Sequence, residues 1–228
     1  MRSSENITRI KVVYDALGEL CKDVIFVGGA TVSLYADRAS GEIRPTDDVN
    51  ILIETLDYKG YAIIEERLRA KGFVNDVESG VICRYIVNGI IVDVMPMSEE
   101  ILGFANKWYH EGFSTSIKVE IDEDYQIRIF KPEHFIATKL EAFKSRGAND
   151  GRMSSDFENI IYVLNNRSTI WDEFQNSSLG VKEYLKKEFK QLLNESYIEE
   201  WISSHLEYYE QKRVHFITGN LHEFVVAL

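Results

Sequence analysis

Oxygen-bearing side chains at the start of a predicted strand are the first candidates for chemistry. Asp48 and Asn50 stand at the mouth of an apolar, β-branched run that predicts a strand over residues 49–54. Because side chains alternate along a strand, these two should share one face while Val49 and Ile51 enter the core. Two oxygen ligands placed in this way suit Mg²⁺ held beside substrate phosphates, although an Asp-Asp pair before a strand is also ordinary turn chemistry.

A third carboxylate, Asp93, interrupts an apolar run over residues 90–95 that predicts another strand. A carboxylate buried in such a strand costs several kcal/mol unless it is paired or bound to a metal. If this strand lies beside the one that begins at Asp48, the side chains of Asp48, Asn50 and Asp93 converge. We expect them to form one metal-sized cluster.

Gly28 and Gly29 follow a short buried strand over residues 23–27 and precede a predicted helix over residues 30–37. Glycine allows positive φ and close backbone approach, and the first turn of a helix offers free N–H groups to a phosphate. A tight strand-to-helix turn without a ligand explains the same two residues.

Three charged residues in the C-terminal half could contribute to the same site. Lys139 lies between Phe135 and Phe143 on one helical face, so its ammonium either snorkels to solvent or is held inward to meet a triphosphate. Arg146 supplies local positive charge in an acidic chain. Asp156 falls in the first turn of a predicted helix, where the helix dipole favours a carboxylate, and it could equally face an active site.

The elements that must position these residues divide the chain into two parts. The N-terminal part is rich in strands, and from Pro132 onward the chain is almost wholly helical, with Ser155 and Glu158 predicted as a capping box. The predicted fold class is α+β (mixed α/β), a mixed sheet flanked by helices with a helical C-terminal half, and the predicted domains are residues 1–131 and 132–228. The other predicted elements are helices over residues 7–22 and 58–71, strands over residues 81–87 and 90–95 joined at Asn88-Gly89, a helix capped by Ser98 that contains Phe104, a strand pair within residues 117–130, and helices near residues 180–194 and 196–212.

The composition sets limits on function. The chain has 228 residues and a formal net charge of −11, which argues against a protein that coats nucleic acid, because phosphate contacts need clustered Lys and Arg. An enzyme that holds an RNA end through a local basic patch remains open. No stretch approaches the roughly 20 apolar residues that cross a bilayer, and the N-terminus lacks the apolar segment of a signal peptide. We therefore expect a cytoplasmic protein with no membrane partner.

Taken together, the motifs resemble the nucleotidyltransferase superfamily that includes DNA polymerase β, and within it the bacterial AbiEii-type toxins. That pattern has Gly-Gly or Gly-Ser after the first strand, a Thr-x-Asp-x-Asp strand mouth, a third carboxylate on a later strand, and a Lys-Leu-x-Ala helix before a basic turn with an Asp. The counterparts here lie within residues 24–165 and are Gly28-Gly29, Thr46 through Asn50, Asp93, Lys139 through Ala142, and Arg146 through Asp156.

The resemblance implies Mg²⁺-dependent transfer of a nucleoside monophosphate from a nucleoside triphosphate to a hydroxyl of an RNA, with tRNA as one candidate, or of a protein. It also implies a toxin of a toxin–antitoxin system, with a cognate antitoxin as partner. The residues it assigns to the metal are Asp48, Asn50 and Asp93, and those it assigns to the nucleotide are Gly28, Gly29, Thr46, Lys139 and Arg146. The residues it assigns to catalysis are Asp48, Asp93, Lys139 and Asp156, the last as a base or as a group that orients the acceptor.

Asn50 departs from the family pattern, which has a second carboxylate at that position. An amide offers a neutral oxygen, so metal affinity should fall unless Asp47 or Asp93 compensates. The alternative function is therefore a weakened or inactive nucleotidyltransferase-fold protein that binds a nucleotide or a partner. A dinucleotide-binding enzyme built on Gly28-Gly29 is disfavoured, because no further glycine follows at Rossmann spacing.

Overall fold

The protein folds into two compact units. The first comprises Met1–Leu34 and Glu42–Lys131, and the second comprises Tyr35–Gly41 and Pro132–Leu228. The second unit thus includes a short segment that lies within the first of the two domains predicted from the sequence. The structure is a computed structural model, and it describes residues 5–38, 43–55, 57–103, 105–147 and 150–227.

Seven strands in the described part of the first unit form one mixed sheet, which confirms the predicted fold class. In chain order they are β1 (Val24–Val27), β2 (Asp48–Ile53), β3 (Val74–Asn75), β4 (Arg84–Val87), β5 (Ile90–Pro96), β6 (Ile117–Glu120) and β7 (Gln126–Ile129). Their order across the sheet is β3-β4-β5-β2-β1-β7-β6. The pairs β2–β5 and β1–β7 are parallel, and the other neighbours are antiparallel. β2 therefore lies inside the sheet, between β1 and β5.

Local sequence explains the strands on either side of the candidate site. In β2, Val49 and Ile51 are fully buried while Asp48 and Asn50 are half-buried, as the alternation predicted. The predicted hairpin is also confirmed, since β4 and β5 pair as antiparallel neighbours across Asn88-Gly89. Both turn residues have positive φ, 48° and 79°, which two-residue hairpin turns require and which Asn-Gly adopts readily.

The α-helices in the described part of the first unit are α1 (Glu5–Leu17), α2 (Tyr58–Ala70), α3 (Glu99–Leu102) and α4 (Tyr109–Ser114), and α4 and β3 were not predicted. The helix predicted over residues 7–22 is α1 followed by a 3-10 helix, Gly18–Lys22, and the helix predicted over residues 58–71 is α2. The side chain of Ser98 caps α3 as expected by accepting a hydrogen bond from the N–H of Glu100, while Phe104 lies outside the described residues.

The helix predicted over residues 30–37 is instead a 3-10 helix, Gly29–Tyr35. Both the N–H and the hydroxyl of Thr31 donate to the carbonyl oxygen of Gly28, at 3.3 Å and 2.9 Å. These bonds tighten the backbone into an i to i−3 pattern, and the side-chain bond competes with an α-helical turn. The chain after the glycines is therefore a short, tight element.

The described part of the second unit is helical outside its turns and loops, as predicted. Its α-helices are α5 (Pro132–Arg146), α6 (Ser155–Asn166), α7 (Ile170–Gln175), α8 (Leu179–Leu193), α9 (Ile198–Ser204) and α10 (Arg213–Val226). The helix predicted near residues 196–212 is divided into α9 and a 3-10 helix, Tyr208–Glu210. Pro132 begins α5 as expected. The capping box predicted at Ser155 and Glu158 is wrong, because Ser154 is the N-cap residue and its side chain accepts from the N–H of Phe157 at 3.3 Å.

The segment that begins at Tyr35 is held within the second unit by polar contacts. The carboxylate of Asp37 accepts from the N–H of Ser168 at 3.0 Å and from its hydroxyl at 2.7 Å. Nη1 of Arg167 donates to the carbonyl oxygen of Tyr35 at 3.1 Å. None of the helices in the described ranges is both long enough and apolar enough to cross a membrane.

Candidate active site

Asp48, Asn50 and Asp93 lie together on one face of the sheet. In the parallel pair β2–β5, Asn50 lies opposite Asp93, and Asp48 lies opposite Ile91. Side chains at paired positions of neighbouring strands point to the same face, and the alternation along β2 places Asp48 on that face with Asn50. The structure therefore brings together the three residues that the sequence assigned to a metal.

The carboxylate of Asp48 is perturbed by this crowding. Burial raises the pKa of Asp48 above its ordinary value, and the negative charge of Asp93 raises it further. A hydrogen bond from the side chain of Asn50 and the positive charge of Arg84 oppose the rise without cancelling it. The two carboxylates thus share a confined space in which a cation is stabilised.

Arg84, on β4, supplies such a cation. Its Nε donates to Oδ1 of Asp93 at 2.8 Å and its Nη2 donates to Oδ2 at 2.9 Å, so both carboxylate oxygens are engaged. Nη2 also lies 3.9 Å from Oδ2 of Asp48. We call Asp48, Asn50, Arg84 and Asp93 the strand cluster. With two carboxylates and one guanidinium, its formal charge is −1.

Arg84 was missed in the sequence, although a signal for it was present. A two-residue turn at Asn88-Gly89 fixes the register of the hairpin, so that Val87 pairs with Ile90 and, three pairs further on, Arg84 pairs with Asp93. The pairing of a basic with an acidic residue could therefore have been counted from the turn. It provides the partner that a carboxylate inside an apolar strand requires.

Gly28 lies against the amide of Asn50. Its φ is +76°, a conformation that favours glycine, and a Cβ at this position would lie 3.1 Å from Nδ2 of Asn50. The close approach follows from the antiparallel pairing of Val27 with Asn50 in β1–β2. Gly29, by contrast, begins the 3-10 helix. Gly28 thus has two structural reasons to be glycine, and one of them is contact with the strand cluster.

Thr46 fixes the chain at the start of β2. Its hydroxyl donates to the backbone carbonyl oxygen of Asp48 at 2.9 Å, and its N–H donates to Oδ1 of Asn6 at 2.8 Å. Asn6 is buried on the face of α1 that also carries Ile10, so a polar residue on an apolar stripe was the sequence signal for it. The neighbouring Asp47 is exposed. Thr46 therefore positions Asp48 through its backbone.

The strand cluster contains the chemical type of oxygen donor that binds Mg²⁺. Carboxylate and amide oxygens are the hard ligands that this ion takes. Only two of the three donors are acidic, and within the described ranges no three His, Cys, Asp or Glu side chains group closely enough to hold a metal ion. Arg84 engages both oxygens of Asp93, so a metal bound there would have to share that carboxylate with the guanidinium or displace it.

The remaining predicted residues form a second group, within the second unit. Nζ of Lys139 donates to Oδ1 of Asp156 at 2.9 Å, and Arg146 donates to both carboxylate oxygens, from Nε at 2.7 Å and from Nη2 at 2.9 Å. We call Lys139, Arg146 and Asp156 the helical cluster. The side chains of Lys139 and Asp156 are 9% and 2% exposed, whereas that of Arg146 is 68% exposed.

The burial of Lys139 settles one question that the sequence left open. Its ammonium does not snorkel to solvent but ends on a buried carboxylate, 5.9 Å from the ring centroid of Phe135. Burial acts to raise the pKa of Asp156, yet the hydrogen bonds and charges of Arg146 and Lys139 together hold that pKa below its ordinary value. Asp156 is therefore a stabilised anion with both oxygens engaged, which makes it a weak proton acceptor.

The fold and the strand cluster define a mixed α+β protein with a carboxylate–amide–guanidinium site inside its sheet. Comparison of the chain with protein-family models finds no matching family, and comparison with curated proteins finds no match. The site itself must therefore carry the functional argument.

Proposed function

We propose that this chain is a nucleotidyltransferase-like protein that transfers a nucleoside monophosphate from a nucleoside triphosphate to a hydroxyl of an RNA, such as tRNA, or of a protein. The observation that carries the proposal is the placement of Asp48, Asn50 and Asp93 on one face of two adjacent parallel strands. Three oxygen donors in this arrangement can hold Mg²⁺ against the phosphates of a nucleotide. A toxin with a cognate antitoxin is the biological role that the motif resemblance suggests.

The residues of the strand cluster and the neighbouring Gly28 would have different roles in the proposed reaction. Asp48 and Asp93 would bear the charge that attracts the metal, and Asn50 would add a neutral oxygen. The bound ion would supply charge neutralisation for the triphosphate. Gly28 would let the backbone lie close to the site, since its missing Cβ is what makes room beside Asn50.

In the helical cluster, Lys139 and Arg146 would contact phosphate. Arg146 is well exposed, so it can bind an anion without losing a buried environment. Asp156 holds both cations by hydrogen bonds, which favours a positioning role for this carboxylate over that of a base.

A second candidate function follows from the pairing of Arg84 with Asp93. A guanidinium already neutralises one carboxylate and lies near the other, and Asn50 contributes no charge. Both features favour a protein of nucleotidyltransferase fold that binds a nucleotide or a partner without turnover.

Transfer of label from α-³²P nucleoside triphosphates to total tRNA and to a bacterial protein extract, with Mg²⁺ or with EDTA, tests the proposal. We expect Mg²⁺-dependent incorporation by the wild type. Asp48→Asn and Asp93→Asn keep the shape of the site and should lose incorporation. Asp47→Asn removes the same charge from an exposed neighbouring position and should retain it.

Two other outcomes are informative. If no label is transferred but a nucleoside triphosphate raises the melting temperature of the wild type and not of Asp48→Asn, the non-catalytic candidate is supported and the transferase is ruled out. If the wild type shows neither transfer nor stabilisation by any nucleotide, the transferase and the nucleotide-binding form of the second candidate both fail.

A further inference from the structure

Arg84 is placed so that it and a metal ion would use the same oxygens. The guanidinium reaches Asp93 through two parallel hydrogen bonds of 2.8 Å and 2.9 Å, and it lies 3.9 Å from the carboxylate of Asp48. The hairpin register at Asn88-Gly89 sets this position, because β4 and β5 pair Arg84 directly with Asp93. The contact is therefore built into the sheet.

Guanidinium and a hard dication cannot occupy one carboxylate in the same way. Arginine only donates hydrogen bonds, and its two bonds to Asp93 take one lone pair of each oxygen, which leaves fewer for Mg²⁺ to coordinate. Mg²⁺ also demands near-octahedral geometry, which leaves little tolerance for a nearby planar cation. The side chain of Arg84 is 25% exposed, whereas that of Asp93 is 12% exposed, so the arginine is the more accessible to solvent of the two.

We propose that Arg84 is an internal competitor of the metal, a cation that holds Asp93 until a divalent ion displaces it. The inference rests on the proposed function, because it concerns the regulation of the same site. It adds that the affinity for metal is set by the arginine as well as by the ligands. Displacement would also free a guanidinium beside the bound ion, where phosphate oxygens can accept its hydrogen bonds.

Calorimetric titration of the purified protein with MgCl₂ and MnCl₂, in the absence of nucleotide, tests the competition. Arg84→Gln removes the two-bond contact and should bind both ions more tightly than the wild type, by roughly tenfold or more, since hydrogen bonds to charged groups are worth about one to two powers of ten in an equilibrium constant. The rise in melting temperature on adding MnCl₂ should be larger for Arg84→Gln for the same reason.

A matched control separates competition from a general change of charge. Arg69→Gln makes the same substitution at an exposed position of the first unit, where the guanidinium lies 3.6 Å from Glu65. It should leave metal affinity within about twofold of the wild type, because exposed charges are well screened. If Arg84→Gln does not fold, Arg84→Lys serves instead, since it keeps the charge without the planar fork and should give an affinity above that of the wild type.

The inference is overturned if the Arg84 variant and the wild type bind the ions equally, if neither binds them, or if Arg69→Gln tightens binding as much as Arg84→Gln does. These results are distinct from those that test the function. Tighter metal binding by Arg84→Gln without any nucleotide transfer would sustain the competition and reject the transferase. Nucleotide transfer by the wild type, with equal metal affinity in Arg84→Gln and the wild type, would sustain the transferase and reject the competition.

Discussion

Asn50 lies directly opposite Asp93 across the parallel strands β2 and β5, so a neutral amide and a carboxylate face the same space. The amide donates to Asp48 and lies against Gly28. A single neutral residue thus contacts both the acidic pair and the turn after β1. Replacing Asn50 by a charged residue is therefore the most informative substitution at this site.

Asn50→Asp should raise affinity for Mg²⁺, because a third carboxylate joins Asp48 and Asp93. We expect roughly a tenfold gain or more, the scale on which changes around a metal site act. In EDTA the same variant should be less stable than the wild type, since a hydrogen bond to Asp48 is lost and like charges are brought together.

Calorimetry measures the Mg²⁺ affinity of Asn50→Asp, and the melting temperature in EDTA measures its stability. Asn88→Asp, which adds the same charge at the exposed hairpin turn and suits that turn, is the control; equal Mg²⁺ affinity in both variants would contradict the prediction.

The raised pKa of Asp48 predicts a dependence of stability on pH. The folded state binds a proton at Asp48 more tightly than the unfolded state does, so the ionised carboxylate lowers the free energy of unfolding at neutral pH. Asp48→Asn should therefore be more stable than the wild type at pH 7 in EDTA. The difference should shrink as the pH falls through the raised pKa and vanish below the ordinary value of 3.8.

Urea denaturation across this range measures that difference, with Asp47→Asn as the control for removing a charge from an exposed neighbour. A gap between Asp48→Asn and the wild type that widens toward low pH would have the wrong sign and would refute the assignment.

The helical cluster should behave as one unit in a double-mutant cycle. Lys139→Met leaves the buried carboxylate of Asp156 with Arg146 alone and should lower the free energy of unfolding by about 2 kcal/mol, less than for a fully orphaned buried charge because one partner remains. In Lys139→Met combined with Asp156→Leu, most of this loss should be recovered. Urea denaturation of the four proteins gives the coupling energy. Strictly additive effects would show that the two side chains do not depend on each other.

Triphosphate affinity of the same variants separates structure from binding. If Lys139 contacts phosphate as proposed, Lys139→Met should weaken triphosphate binding even under conditions where the protein remains fully folded. Arg146→Gln should also weaken it, at little cost in stability because Arg146 is well exposed. Unchanged affinity in both variants would leave the helical cluster with a structural role alone.

Gly28→Ala should cost more stability than Gly72→Ala. Both glycines have positive φ, 76° and 87°, so both substitutions carry the strain of a left-handed conformation, about 1–2 kcal/mol. Only at Gly28 would the new Cβ also meet the side chain of Asn50, at 3.1 Å, whereas at Gly72 it would meet nothing within 4 Å. The free energies of unfolding of the two variants measure the difference, and equal losses would show that the Asn50 side chain moves aside freely.

How much of the site could be predicted depended on which interactions are local. Alternation along β2 is a local property, and it placed Asp48 and Asn50 on one face correctly. The adjacency of β2 and β5 is not local, so the meeting of Asn50 with Asp93 could only be stated as a condition. The register of Arg84 was fixed by a two-residue turn and could have been counted.

In the helical half, too, local features were predicted and non-local contacts were not. Lys139 and Asp156 were each singled out, but their ion pair depends on the packing of α5 against α6, which no periodicity reports. No separate helix was predicted over α10 within the helical half, and its Gly219 and several β-branched residues have low helix propensity. Burial of Leu221 and Phe224 stabilises it instead. Tertiary packing thus decided the elements that propensity left weak.

The second unit is discontinuous, and this has a consequence for its synthesis. Tyr35, Asp37 and Arg38 leave the ribosome early, but their hydrogen-bonding partners Arg167, Ser168 and Glu210 lie 132, 131 and 172 positions later in the chain. At about 5–20 residues per second, those partners follow after roughly 7 to 34 seconds. The segment must therefore wait, unpaired within its own unit, while the strands that follow it are made. A fragment of residues 132–228 alone would omit the segment. In that fragment, the hydrogen bonds that Arg167, Ser168 and Glu210 make to the segment would be lost. We expect the fragment to unfold at a lower urea concentration than the same helices do in the full chain.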